Sequence, residues 1–239
     1  VSGADAVGDG ATTPPRAGAP GRALSRDPGA LARILRAAAR GEFPPADGGV
    51  TFVPQPNGRD AGVLGMSAHA VVFADVDPDR VRETLAAASP DPLAAPLGPA
   101  FLVALGAHTG RRVNIVDMLT VAPALPGPPT LPLTEVTESD HPRVVRARAH
   151  RDEVRVWTTE GGLLALGRGV AGRWEIAVEV EGTAGGRGLG RALALAGRHL
   201  LPAGEQLWSQ QPPGNARSVR AFQAAGFRPV GGEALLLAE

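Results

Sequence analysis

The 239-residue sequence contains no cysteine, no tyrosine and no lysine. Without cysteine there is no disulfide, no thiolate metal site and no thiol nucleophile, although the count leaves the redox compartment undetermined. Without lysine there is neither a Schiff base nor a Walker-type phosphate loop, and without tyrosine there is no phenolic general acid. All 24 basic side chains are therefore arginines, set against 24 acidic ones. A net charge of zero supplies no global field for nucleic acid or an anionic membrane, so neither is an expected partner. Any anionic ligand must be held by local geometry. No run approaches the ~18 apolar residues of a membrane-spanning helix. Glycine and proline, 32 and 23 of 239 residues, stay just short of a low-complexity composition. A globular protein is expected, and a chain of this length can bury roughly 70% of its unfolded surface as one large domain or two small ones.

Residues 1–23 are small, Gly/Pro-rich and almost free of large apolar side chains, which predicts a disordered tail. They lack the apolar core of a secretory signal, so a cytoplasmic protein is expected. Asp27 and Pro28 open a helix with Leu31, Ile34, Leu35 and Ala38 on one face and Gly41 as its stop. Segments 50–55 and 61–76 flank a Pro-Asn-Gly turn and read as a β-hairpin. Asp77 and Pro78 start a second helix, and strands are expected at 100–106 and 113–121. Residues 24–121 thus read as an N-terminal α/β domain with no evident chemistry. Five prolines in 122–133 forbid helix and predict a linker. A second domain, 134–239, is expected to follow. Its strands lie at 154–159, 163–170 and 174–180, before a glycine-rich turn at 182–190 and a helix. A strand at 206–210, a helix from Asn215 and a strand at 234–237 close it. The fold class is α/β, of the α+β kind with a mixed sheet.

Chemistry is concentrated in this second half. Glycines 185, 186, 188 and 190 stand between a strand and a helix, where backbone amides and the positive helix end can cradle a pyrophosphate. The plainer alternative is a simple turn. A dinucleotide-binding reading fails because the third glycine is displaced from Gly-x-Gly-x-x-Gly. Further on, Asn215 reads as an N-cap and Gly226 as a left-handed C-cap. Glu175, Glu179 and Glu181 alternate with apolar residues, giving either a polar strand face or candidate general bases. Arg143, Arg146, Arg148 and Arg151 read as a solvated face or an acidic-substrate patch. The five histidines are too scattered for a metal motif, and no metal is expected.

The two segments read Gly185-Gly-Arg187-Gly188-Leu-Gly190 and Asn215-x-x-Ser218-x-x-x-Phe222-x-x-x-Gly226-Phe227. Taken in this order, they resemble the GNAT family of acyl-CoA-dependent N-acetyltransferases. Members commonly show Arg/Gln-x-x-Gly-x-Gly/Ala and then Asn-x-x-Ala/Ser-x-x-x-Tyr-x-x-x-Gly-Phe. The resemblance covers 134–239 and implies an acyl-CoA N-acyltransferase-like domain with acetyl-CoA as cosubstrate. By the same resemblance the pyrophosphate would sit on the amides of Gly186 to Gly190, beside Arg187. Pantetheine would run between splayed strands at Val178 to Val180 and Trp208 to Gln210 and touch Asn215. The implied reaction moves an acetyl or short acyl group to a primary amine of a small molecule or peptide by direct attack. Glu175 is the best-placed base, with Glu179 beside it. An amide near Val180 would meet the oxyanion, and water, Ser218 or Ser209 would protonate the thiolate. Two positions depart from the pattern: Gly185 replaces Arg/Gln, and Phe222 replaces the tyrosine. Both favour the alternative, a non-catalytic acyl-CoA-binding or regulatory module. Because 134–239 is short for that family, the N-terminal segment is expected to supply a wall of the acceptor pocket, as a degenerate copy of the kind seen in tandem members. A homodimer is left open.

Overall fold

The computed structural model describes residues 27, 29–182 and 188–238. In chain order the first part comprises helix α1 (Ala30–Ala39), strands β1 (Val50–Val53), β2 (Ala61–Met66) and β3 (His69–Phe73), helices α2 (Pro78–Ala88) and α3 (Pro99–Thr109), and the long strand β4 (Arg111–Pro123). The second comprises β5 (Thr134–Val136), α4 (Pro142–His150), β6 (Asp152–Thr159), β7 (Gly162–Arg168), β8 (Trp174–Val180), α5 (Leu189–His199), β9 (Gln206–Gln211), α6 (Ala216–Ala224) and β10 (Arg228–Ala238). The tail 1–23 lies outside the described residues.

Local signals account for most helix ends. Asp77 caps α2 by accepting the Asp79 N–H, with Pro78 in the first turn. His141 does the same for α4 through the Arg143 N–H, and Asn215 for α6 through the Ser218 N–H. Two early expectations are corrected. Residues 100–106, expected as a strand, lie in helix α3, where Pro99 stands in the first turn and Gly110 forms a left-handed C-cap at φ 62°. The apolar run Phe-Leu-Val-Ala-Leu has no periodicity to separate helix from strand, so the flanking Pro and Gly decide. The expected hairpin across the Pro-Asn-Gly turn is also replaced. Strand β1 pairs with β3 in parallel, and the hairpin is β2–β3, turning at Ser67 and Ala68 with φ of 47° and 59°.

The strands of both parts share one mixed sheet in the order β1-β3-β2-β10-β4-β9-β8-β7-β6-β5. Among the described residues only β1–β3 and β8–β9 are parallel. Strand β10 pairs with β2 on one side and β4 on the other, and β4 then pairs with β9. The first part thus places a thirteen-residue strand between the last two strands of the second. Helix α1 packs with Leu119, Val121 and Trp208, and α4 with Val156, Leu163 and Ala165. Helices α2 and α3 pack with Val63 and Ala234, and α5 and α6 with Leu164, Ile176 and Leu207. The proline-rich run begins inside β4, and its later residues are tied to the end of α5, the Arg198 carbonyl accepting the Leu125 N–H.

Removing β4 strips β9 and β10 of their common neighbour and leaves two strand edges with unpaired N–H and C=O groups. Residues 124–239 expressed alone are therefore expected to give no cooperative thermal transition by circular dichroism, whereas the full chain gives one. A fragment that melts cooperatively without β4 would contradict this.

Candidate active site

Strands β8 and β9 are paired at only two positions, Trp174 with Leu207 and Glu175 with Trp208. Beyond them each follows its other neighbour: β8 stays on β7 as far as Val180, and β9 stays on β4 as far as Gln211. The sheet opens between them. A cavity of about 670 Å³ occupies the opening. Helix α4 lines it with His141, Arg143, Arg146 and His150, and strand β4 with Asn114, Ile115 and Asp117. Asn215, Ser218 and Phe222 of α6 also line it, so the cavity spans the gap from one sheet face towards the other.

Of the expected site residues, Val178, Glu175, Glu179, Asn215, Ser218 and Phe222 line this cavity. Val180 ends β8 and packs with the α5–α6 cluster. Gly188 precedes α5 at φ 81°, a conformation that favours glycine, and supplies no side-chain cap to the helix. Packing does not demand a glycine at 190, where a Cβ would meet Val180 and Ala221 only at 3.7 and 3.9 Å. Gly185, Gly186 and Arg187 lie outside the described residues. The Asn215 carboxamide oxygen is engaged in capping α6. Phe222 is buried and stacks edge to face on Phe227 at 4.9 Å. Ser209 lines the cavity, but its hydroxyl accepts from the Gln211 carboxamide.

Glu175, expected as the base, is committed elsewhere. Its Oε2 accepts from Arg151 Nε at 2.8 Å and its Oε1 from Arg173 Nε at 2.8 Å. Burial pushes the carboxyl up, but the charges of Arg173 and Arg151 outweigh it and hold the group down at about 2. A carboxylate so stabilised is a poor proton acceptor at neutral pH. Glu179 is half exposed and is bound by Arg143 Nη2 at 2.6 Å.

A different acid occupies the cavity wall. Asp117 Oδ1 is buried with no hydrogen-bond partner among the described residues. Burial, reinforced by the charge of Glu233 opposite it on β10 and opposed by Arg146, raises its carboxyl from 3.8 to about 6. His150 is held below its ordinary value, first by burial and then by Arg146, Arg151 and Arg59, against a small opposing effect of Asp60. No sequence pattern singles out Asp117, whose one signal is a carboxylate within a mostly apolar stretch, Val-Asn-Ile-Val-Asp-Met-Leu.

Behind the cavity, Arg173 joins Glu175 to Glu233, donating from Nη2 to Glu233 Oε2 at 2.8 Å, and Gln210 donates to the same oxygen. Gly169 makes room for this cluster, since a Cβ there would lie 2.2 Å from the Glu175 carboxyl carbon. Glu175→Gln leaves Arg151 without its anion and is expected to destabilise the fold by about 3–5 kcal/mol in chemical denaturation. Because the folded-state value is depressed, the Glu175 contribution is present above about 4.5 and lost as pH falls toward 2. The wild-type melting temperature should therefore fall across that window more steeply than that of Glu175→Gln.

Among the described residues no group of three or more His, Cys, Asp or Glu is placed to hold a metal ion. No helix among the described residues is long and apolar enough to cross a membrane. No protein-family model matches the chain, and no curated protein matches it in sequence. Among solved structures it is similar to a GCN5-related N-acetyltransferase from Kribbella flavida, at 18% identity and a TM-score of 0.38, over 58% of this chain and 63% of that one. A GCN5-related N-acetyltransferase from Sphaerobacter thermophilus gives 15% and 0.35, over 57% and 55% of the respective chains. An acetyltransferase from the GNAT family from Colwellia psychrerythraea gives 10% and 0.37, over 70% and 76%. This chain thus spans less than two thirds of the Kribbella and Sphaerobacter chains. The second half of the chain runs in the succession β8, α5, β9, α6, β10, with β8 and β9 parallel at their start and parted beyond.

Proposed function

We propose that this protein transfers an acetyl or other short acyl group from an acyl-CoA thioester to a primary amine by direct attack, with Asp117 as the proton acceptor. The observation that carries this reading is the opening of β8 from β9 into a cavity holding an acid with a free oxygen. The residues present fit an acyl-CoA. Past Glu175, β8 has no paired strand on the β9 side, and the apolar walls Ile176, Val178 and Phe222 suit a slender chain. Helix α5 starts at the gap without a side-chain cap, leaving first-turn N–H groups for an anion. Bound there, acyl-CoA supplies an activated acyl carbonyl.

Asp117 takes a proton from the incoming ammonium, the free amine forms the new C–N bond as the C–S bond breaks, and the second proton lost by the nitrogen ends on the departing thiolate, giving free CoA. An acid raised to about 6 is ionised at neutral pH yet basic enough to share that proton. An unpaired β8 amide near Val180 would meet the charge that develops on oxygen. Phe222 offers no hydroxyl to the departing sulfur, and Ser218, one helical turn away on the same wall, is the side chain that does. Glu179 with Arg143, and Glu175 with its arginines, shape and charge the walls.

The groups facing Asp117 are Glu233 on β10, Arg146 and His150 on α4, and the uncharged Gln210 on β9. Acceptor-dependent release of CoA should rise with pH through about 6 as Asp117 ionises. Asp117→Asn should lower kcat by about 10²–10⁴. The same substitution should raise thermal stability near neutral pH. The Asp117 value is higher in the folded state than unfolded, so its contribution is full below about 3.8 and lost as pH rises through about 6. Stabilisation by acetyl-CoA in a thermal shift assay, with no CoA release for any amine, would replace this reading with that of a non-catalytic acyl-CoA-binding module.

A further inference from the structure

Three arginines of the α4 region line the cavity, and two are already neutralised: Arg143 by Glu179 and Arg151 by Glu175. Arg173, behind them, is shared between Glu175 and Glu233. Arg146 alone lines the cavity with no hydrogen bond or ion pair to any described residue. It stands on α4, which packs on β6, β7 and β8. Asp117 stands across the opening on β4, beyond β9. The two feel each other's charge but do not come into ion-pair contact. Among the described residues, every other charge on these walls apart from the two histidines is cancelled by an ion pair, and what remains is one anion and one cation set apart on facing walls.

From this placement, and resting on the acyl-transfer reading above, we infer that the acceptor is a zwitterion: its ammonium is taken by Asp117 and its own anion, a carboxylate or phosphate monoester, by Arg146. An amino acid or a short peptide offering its own terminus has this form. A diamine or an uncharged amine does not, because it leaves Arg146 unmatched and brings no anion into a cavity whose free cation would repel a second positive charge. His150, half buried and held below its ordinary value chiefly by burial, enters as a neutral donor beside the anion rather than as a third cation. Arginine suits this task because its planar fork meets a carboxylate or phosphate with two parallel hydrogen bonds.

The test uses the full chain with acetyl-CoA and matched acceptors: α-, β- and γ-amino acids, their amides, and O-phosphoethanolamine. Wild type should prefer amino acids to their amides by tenfold or more in kcat/KM. Phosphoethanolamine reports whether the anion is taken as phosphate instead. Arg146→Gln should collapse the preference chiefly through KM, and Arg146→Lys should restore part of it. Arg146 is exposed and has no hydrogen bond or ion pair among the described residues, so both variants should still melt cooperatively by circular dichroism, with Arg146→Gln at most slightly below wild type for its lost attraction to Asp117. Equal use of amides and amino acids by wild type, or a preference that survives Arg146→Gln, overturns the inference while leaving acyl transfer standing. Calorimetric titration of the same acceptors separates the two failures. Arg146-dependent binding of amino acids with no CoA release supports the zwitterion site and removes the transfer reading. Binding without discrimination removes the site.

Discussion

One buried guanidinium sets the geometry of the whole cavity. The Arg173 side chain, 4% exposed, holds Glu175 of β8 with one nitrogen and Glu233 of β10 with another. Those strands are not neighbours, since β9 and β4 lie between them. The arginine therefore ties four strands together at the root of the opening, where β8 and β9 make their last paired contact at Glu175 and Trp208. Beneath it Arg173 also stacks on the Trp208 ring at 5.4 Å. Two buried carboxylates this close tolerate burial only with cations between them, and Arg151 closes the set from the end of α4. An arginine keeps its proton in such a site where a lysine can lose it, so the absence of lysine leaves the network unswitched by pH in the neutral range.

The same cluster divides the labour between two acids. Glu175 has two arginines on its oxygens and is driven down; Asp117 has an orphaned oxygen and another carboxylate opposite it, and is driven up. Both face one cavity, so environment alone separates a structural counter-ion from a group suited to move protons. Asp117 has an unfavourable setting because Glu233 is already claimed by Arg173 and Gln210. The arginine that would relax it, Arg146, stops short of contact. That unrelieved charge is a local destabilisation of the kind the proposed function would account for.

How much of this was legible depended on range in the sequence. The glycine turn into α5 and the Asn215 to Phe227 segment are local patterns, and the order of strands and helices after residue 150 followed from them. Nothing in the sequence showed the two arginines that engage Glu175, the expected base. Its position on β8 was read correctly, but its partners come from the end of α4 and from the loop before β8, and neither pairing has a sequence signature. Asp117 was hidden for the converse reason: its significance comes from Glu233, more than a hundred residues later in the chain, brought opposite by the β4–β10 register. Helix α3 was misread because its interior is apolar all round, and β1 because its partner is not the next strand.

The insertion of β4 between β9 and β10 joins these points. A segment that carries the parting strands and both motifs still lacks an acid of the right strength, since each glutamate on β8 facing the cavity is paired to an arginine. The segment that carries Asp117 has no opening of its own. Pairing β4 with β9 completes the sheet and, by the same hydrogen bonds, carries Asp117 to the wall that α4 faces. Residues 24–121, in which no chemistry could be read, thus hold the side chain on which the proposed chemistry turns, and the sheet register that stabilises the fold is also what aims it.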